Sequence, residues 1–286
     1  MNAAAGRPAE RVRPRAHCTA DSAGGLTFDV ALGVAHDDAA GRWDTGLLLR
    51  RRPASGRGAA EEVRLPLVPT SPGVLRAALP STMPLAEGVW HAWFSDGERR
   101  RSRLLPGTHD LRSLVDRRPR PDRTWLGVRI PCTTTGGTLA VRAWQRWPHA
   151  EAADVKLADG VLTLRGQLYG AELGEGARVE VGPPDAGAAP EPLVAVPAEP
   201  DGAWFTARLP LAALPARAES ECAVWLRPAR AGAPVRVARI LDDVADKRTH
   251  VRFPAVRLAD GRCRVRPCYS QANELLLRFE QPRAAR

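Results

Sequence analysis

The histidines and their acidic neighbours are the residues of this 286-residue chain that could support acid–base chemistry. His149 and Glu151 stand two residues apart, so an extended backbone places both side chains on one face. A carboxylate that orients an imidazole is a common form of general acid–base pair. His91 lies in the apolar run Val89–Phe94, where it is either a buried, hydrogen-bonded residue or part of a cavity wall. The candidate catalytic residues are therefore His149, Glu151 and His91, and for His91 the structural role is favoured.

Two tryptophans beside these residues could bind a sugar. Trp144 and Trp147 have no aromatic counterpart in the internal repeat described below, where Glu280 and Arg283 take their places. An aromatic face can meet the C–H groups of a pyranose while arginines meet its hydroxyls. The alternative is that both tryptophans pack a contact between domains. The predicted ligand-binding residues, placed beside a groove between the domains, are Trp144, Trp147, Arg142, Arg118 and Arg120.

Arginines are concentrated between Arg99 and Arg129, where ten arginines face three aspartates and the local net charge is +7. Such a belt could contact phosphates, an anionic polymer or an acidic protein face, although a solvated surface is the commoner explanation. Nucleic acid is disfavoured because aromatic residues are not interleaved with the arginines up to Arg123. The total of +10 says less, since only two of the 42 basic residues are lysines, which indicates coding bias.

Cysteine spacing and the known short motifs indicate neither a metal nor a cofactor. The five cysteines are irregularly spaced, which predicts free thiols. Cys263, Cys268 and His250 do not provide the four close ligands of a structural zinc site. The chain also lacks a nucleophile elbow, a phosphate-binding glycine loop and a dinucleotide fingerprint. These absences remove most large enzyme classes but leave open a motif-less enzyme with a cavity.

The chain contains an internal repeat with an offset of 136 residues. Leu26-Thr27-Phe28 recurs as Leu162-Thr163-Leu164, and Pro131-Cys132 recurs as Pro267-Cys268. A period this long indicates a duplicated domain and not a solenoid unit. The predicted organisation is a disordered arm over residues 1–21 and two domains over 22–149 and 150–286. Trp90 and Trp225 align if one gap is allowed, and both are assigned to the core.

Short alternating segments with turn residues every 8 to 12 positions dominate both halves. Strands with clear limits include Gly46–Arg51, Val74–Leu79 and Val161–Tyr169, and a further strand is placed at Val251–Val256. The pattern predicts an all-β fold: two tandem antiparallel Ig-like β-sandwiches related by internal duplication. Closure of a sheet into a barrel is the open alternative. Short helical turns are expected at 110–116 and 242–247.

Membrane and secretion signals are not apparent in the sequence. No stretch approaches the roughly 20 apolar residues of a membrane span, and residues 1–20 lack the apolar core of a signal peptide. These observations predict a cytoplasmic protein. They leave its oligomeric state open.

Several motifs resemble β-sandwich modules of high-GC bacteria. They are Val128–Trp144 followed by Pro148–Glu151, Leu162–Ala171 and Ala238–Asp243. Such modules are attached to glycosyltransferases and glycerophosphotransferases that build cell-wall polymers, and are similar in role to the Ig-like accessory domains of teichoic-acid glycosyltransferases. The resemblance implies a role in oligomerisation and polymer contact, and it transfers no catalytic residue.

The sequence therefore favours a non-catalytic module that binds a saccharide or an anionic polymer, with a glycosyltransferase as the candidate partner. The rival from another class is a cyclase or isomerase of secondary metabolism whose site lies in a cavity or between the domains. A cavity of roughly 300 Å³ or more that is lined by tryptophans and holds His91 or His149 would favour catalysis.

Overall fold

The computed structural model describes residues 13–32, 44–52, 59–97, 101–115, 117–119, 124–184, 191–215, 220–258 and 263–281. In these ranges nearly all regular structure is β-strand, which confirms the all-β prediction. The helical segments there are α1 (Lys247–His250) and two 3₁₀ turns, Arg112–Leu114 and Leu211–Ala213. None of the helices in the described ranges is long and apolar enough to span a membrane.

The chain divides into two compact units. The first comprises Met1–Arg117 and Gly127–Gln145, and the second comprises Arg118–Leu126 and Arg146–Arg286. These limits differ from the predicted domains of 22–149 and 150–286, because residues 118–126 and 146–149 group with the second unit.

The first unit is built from two sheets. Its strands are β1 (Arg15–Ala20), β2 (Leu26–Ala31), β3 (Gly46–Arg51), β4 (Glu61–Pro66), β5 (Val68–Ser71), β6 (Val74–Leu79), β7 (Gly88–Ser95), β8 (Arg101–Arg103), β9 (Leu105–Asp110), β10 (Leu126–Thr133) and β11 (Leu139–Arg146). One sheet has the order β5-β6-β2-β1-β9, and the other has β10-β11-β7-β3-β4 with β8 paired to β7. Alternate residues of β2 are buried, as expected where one sheet face covers a core.

The second unit contains the remaining strands. They are β12 (His149–Ala158), β13 (Val161–Tyr169), β14 (Arg178–Gly182), β15 (Val194–Asp201), β16 (Trp204–Pro210), β17 (Glu221–Arg227), β18 (Val235–Ala238), β19 (Val256–Arg257), β20 (Arg264–Tyr269) and β21 (Leu275–Glu280). They follow the order β14-β15-β16-β13-β12-β18-β17-β21-β20-β19. Because β17 also pairs with β14, hydrogen bonding closes into a ring. Closure of the sheet, which the sequence left open, is thus present in this unit.

Strand pairing in the first unit recurs in the second. The pairs β1–β2, β2–β6, β3–β4, β3–β7 and β7–β11 correspond to β12–β13, β13–β16, β14–β15, β14–β17 and β17–β21. The parallel pair β1–β9 likewise corresponds to β12–β18. The internal sequence repeat is therefore also a repeat of topology.

The register corrects one predicted equivalence. Trp93 pairs with Arg103, and Trp225 pairs with Arg236, on corresponding strands. In each pair the guanidinium lies over the indole, at 5.0 Å in the first unit and 3.9 Å in the second. Trp225 therefore corresponds to Trp93. Trp90, which the sequence aligned with it, is a buried residue of the first unit that donates a hydrogen bond to the carbonyl of Ala86.

Several local predictions were wrong for identifiable reasons. Residues 15–20, assigned to a disordered arm, form β1, whose residues are alternately buried; residues 1–12 lie outside the described residues. The predicted domain boundary between residues 149 and 150 lies within β12, whose alanines have low β-propensity. The strand placed at 251–256 contains Pro254, and only Val256–Arg257 pairs there.

Candidate functional site

A cleft of about 740 Å³ opens on the second unit. It lies where β13 ends, beside the start of β16 and the residues that precede β12. Arg118 and Pro119, which belong to the same unit, contribute one wall. Its polar and aromatic lining residues are Arg118, Trp147, Gln167, Tyr169, Glu172 and Trp204. Its volume lies in the range of ordinary small-molecule sites.

Strand register aligns a row of three side chains, two of which line this cleft. Glu151 on β12 pairs with Gln167 on β13, which pairs with Trp204 on β16. Directly paired residues of antiparallel strands project from the same sheet face. The flanking residues Leu168 and Phe205 point into the core and are buried. The sheet therefore presents a carboxylate, a carboxamide and an indole in one line.

Trp147 reaches the cleft because a glycine makes room for it. Trp147 is 39% exposed, which is unusual for so large an apolar residue among those that the structure describes. Gly170 has a φ of +76°, and a Cβ there would lie 2.4 Å from the Trp147 ring. Only glycine adopts this backbone conformation readily and also allows so close an approach.

Trp204 is half-buried and is contacted from within its own sheet. The guanidinium of Arg165 lies 4.7 Å from the centre of its ring. A cation–π contact of this kind holds one ring face in place, at a gain of roughly 0.5–1 kcal/mol for an exposed pair.

Tyr169 and Gln167 form the polar floor of the cleft. The Tyr169 hydroxyl donates a hydrogen bond of 2.7 Å to Oε1 of Gln167. Burial, followed by the charge of Glu151, raises the pKa of Tyr169 to about 12, while Arg118 lowers it. The phenol therefore keeps its proton at neutral pH and remains a donor to the amide oxygen.

A buried histidine–carboxylate pair lies behind Tyr169. His149 Nε2 is 2.7 Å from Oε2 of Glu151, and the His149 ring lies nearly parallel to that of Tyr169, 6.4 Å between centres. The backbone N–H groups of Ile240 and Leu241 donate to the Glu151 carboxylate. His149 is 0% exposed, and its Nδ1 has no hydrogen-bond partner among the described residues. The pair packs behind Tyr169 and does not line the cleft.

The cleft residues are specific to the second copy of the repeat. In the first unit the corresponding row is Arg15, Ala31 and Val74, paired in the same register. A residue required only by the fold tends to recur in both copies. Glu151, Gln167 and Trp204 do not recur, which marks this row as a place where the copies have diverged.

The structure separates the predicted ligand-binding residues. Trp147 and Arg118 line the cleft, and Arg120 lies outside the described residues. Trp144 is 1% exposed, and the guanidinium of Arg142 lies 5.4 Å from its ring centre. A ring so deeply buried has no free face for a sugar, so the paired platform of Trp144 and Trp147 is corrected to Trp147 alone.

The remaining candidate, His91, lies in the first unit and is half-buried. Burial, with the charges of Arg103 and Arg52, lowers its pKa, and its Nδ1 has no hydrogen-bond partner among the described residues. It is not among the residues that line the cleft. The cleft is larger than the roughly 300 Å³ expected of a catalytic cavity, but neither His91 nor His149 lines it.

Most described arginines of the predicted belt have structural partners. Arg129 is buried and donates to the carbonyls of Gly24 and Pro80, while Arg117 donates to that of Gly127. Arg101 and Arg112 pair with Glu62 and Asp110. Arg118 has no ion pair in the part of the chain that the structure describes. Most described arginines of this segment therefore make contacts within the fold, whereas Arg118 lines the cleft.

Sequence reasoning missed Trp204, Gln167 and Tyr169. Trp204 was not singled out among the tryptophans, and the two β13 residues lie within Leu162–Ala171, one of the motifs of the family resemblance. Comparison of the two copies could have found them. Gln167 corresponds to Ala31 at an offset of 136 residues, but Trp204 corresponds to Val74 at an offset of 130 residues. The loop between these strands is therefore shorter in the second copy, and the alignment needs a gap there before Trp204 and Val74 can be compared.

The two tyrosines offer a direct test of burial around this site. Burial raises the pKa of both Tyr169 and Tyr269 to about 12, whereas a free tyrosine titrates near ~10. We expect no phenolate absorbance step near pH ~10 in the folded protein. Between pH ~10 and ~12 the unfolded chain binds fewer protons than the folded protein. The free energy of unfolding therefore falls as the pH rises through that window. A one-proton step near the free value that disappears in Tyr169→Phe would contradict this description of the cleft.

Comparisons with known proteins give weak structural similarity only. No protein-family model matches the chain, and the curated proteins give no match either. Solved structures that it resembles include two of S. aureus TarS, one of them covering residues 217–571 of that protein. The TM-scores are 0.29 and 0.28 at 13% identity, over 69% and 68% of this chain. The match spans 55% of one TarS chain and 35% of the other.

Proposed function

We propose that this chain is a saccharide-binding module whose ligand occupies the cleft of the second unit. The observation that carries the proposal is the arrangement of Trp147 and Trp204 around one opening, with polar groups from Gln167 and Tyr169 on its floor. Indole faces pack on the apolar C–H groups of a sugar ring, while a few placed polar groups recognise its hydroxyls. As an accessory module, it would bring a glycosyltransferase and its polymer together, as the resemblance of its motifs implies.

A glycan microarray followed by calorimetry with the strongest binder tests this proposal. Trp147→Ala and Trp204→Ala should each weaken binding about tenfold or more, because buried aromatic anchors dominate such interfaces. The matched control is Trp93→Ala, which removes an arginine-stacked, partly exposed indole from the first unit. Binding by no glycan, or equal losses in all three variants, would contradict the proposal.

A motif-less enzyme is the second candidate, and one observation favours it. His149 and Glu151 form a hydrogen-bonded pair only one side chain behind the cleft. The pair is nonetheless buried, so a substrate would meet Tyr169 first. Prolonged incubation of the bound glycan with the protein separates the two ideas: unchanged glycan supports a binding module, and a product that is lost in Glu151→Gln supports catalysis.

A further inference from the structure

The polar groups of the cleft are mostly hydrogen-bond donors. Tyr169 donates to Oε1 of Gln167, so one of the two lone pairs of the amide oxygen is already used. The amide nitrogen, which carries two N–H groups, has no partner in the ranges that the structure describes. With Oε1 bound to the phenol, both N–H groups of the amide are left for a ligand.

Arg118 adds the strongest donor. Its side chain is exposed at the cleft, and its charge is felt by the Tyr169 hydroxyl. In the described part of the chain no carboxylate neutralises it. A guanidinium offers five N–H groups in a planar fork that suits carboxylate and phosphate oxygens.

Acceptors in the lining are fewer. Glu172 supplies the one carboxylate among the described lining residues, and it is exposed. Glu151, in the same row as Gln167, is already occupied by His149 and by the N–H groups of Ile240 and Leu241. The side-chain groups available to a ligand are therefore mainly the N–H donors of Gln167 and Arg118, which bind hydrogen-bond acceptors.

From these observations we infer that the saccharide carries an anionic substituent, a carboxylate or a phosphate, which is bound between Arg118 and the amide nitrogen of Gln167. Tyr169 acts as a positioning residue because its hydroxyl binds Oε1 of Gln167 and holds the amide at the cleft. This inference rests on the proposed saccharide-binding function and narrows its ligand class.

Nuclear magnetic resonance titration of the tryptophan indole N–H signals provides the test. The probes are methyl glycosides of glucose, galactose and mannose in three matched forms: neutral, uronate and 6-phosphate. Inorganic phosphate serves as the probe for charge alone. We expect at least one anionic form to bind about fivefold or more tightly than its neutral parent, since charge-assisted hydrogen bonds are the stronger ones. The uronate and 6-phosphate arms identify which anion is preferred.

Substitutions test which residues cause the tighter binding of anionic glycosides. Gln167→Glu should abolish or reverse it, because a carboxylate still accepts from Tyr169 but repels an anion. Arg118→Gln and Tyr169→Phe should reduce it to about twofold or less. The control Arg208→Gln removes the same charge from an exposed position on β16 outside the cleft, and should leave the preference unchanged.

Each outcome separates this inference from the proposed function. If neutral and anionic glycosides bind equally, the inference is overturned and saccharide binding stands. If inorganic phosphate binds as tightly as the sugar phosphates, the inference is also overturned, because the ring then contributes nothing. If no glycoside shifts the signals of Trp147 and Trp204, the proposed function itself fails.

Discussion

Gly170→Ala is expected to weaken saccharide binding about tenfold or more while the protein remains folded. A Cβ at this position would lie 2.4 Å from the Trp147 ring, so the indole has to leave its place at the cleft. The substitution also introduces an L-residue at a φ of +76°, which costs about 1 kcal/mol. Calorimetry with the glycan selected by the microarray measures the first effect, and thermal unfolding measures the second.

Gly160→Ala is the matched control for this variant. Gly160 has a φ of +72°, and a Cβ there meets no heavy atom within 4 Å. It therefore carries the same backbone cost without the displaced indole. We expect both variants to lose similar stability and only Gly170→Ala to lose affinity. Unchanged affinity in Gly170→Ala would show that the position of Trp147 does not matter for binding.

Lys247→Met is expected to destabilise the second unit by about 2 kcal/mol. Lys247 is 1% exposed, and its Nζ donates to Oδ1 of Asp242 at 2.5 Å and to the carbonyl of Val244 at 3.0 Å. Burial is the main cause that lowers its pKa, with Asp242 opposing it. Methionine fills most of the volume but removes one donor from each acceptor. The Asp242 carboxylate keeps Arg239 and the Val244 N–H, and the Val244 carbonyl keeps the Asn273 amide.

The chain's other lysine provides the control. Lys156 pairs with Asp154 at 2.9 Å, but its side chain is 74% exposed. An exposed pair of this kind contributes roughly 0–1 kcal/mol, so Lys156→Met should be nearly neutral. Urea denaturation of both variants makes the comparison. Equal midpoints would mean that the buried pair contributes no more than the exposed one.

Much of the fold could be predicted from the sequence. The limits predicted for β3, β6 and β13 are those observed. β6 and β13 alternate regularly, whereas β3 is a short apolar run that ends in two arginines. β1 and β12 were missed, since alanine-rich alternation resembles an arm or a linker until the partner strand is known. Closure of the second unit depends on β15, whose first half pairs with β14 and second half with β16. No local pattern encodes such a change of partner.

The site was less predictable, because it joins segments that are distant in sequence. Trp147 was identified because it has no aromatic counterpart in the repeat, and Arg118 because it lies in the arginine-rich segment. Both residues line the cleft. Trp204 and Gln167 become neighbours only through the β13–β16 register. The sequence left open whether Trp144 binds a sugar or packs a contact between domains, and the structure shows its ring buried with Arg142 beside it.

A crystal structure of the full chain with the glycan selected by the microarray tests the central claim most directly. The account predicts a sugar ring packed against Trp147 or Trp204, with its polar groups directed at Gln167 and Tyr169. A glycan bound elsewhere on the protein, with the cleft unoccupied, would contradict it.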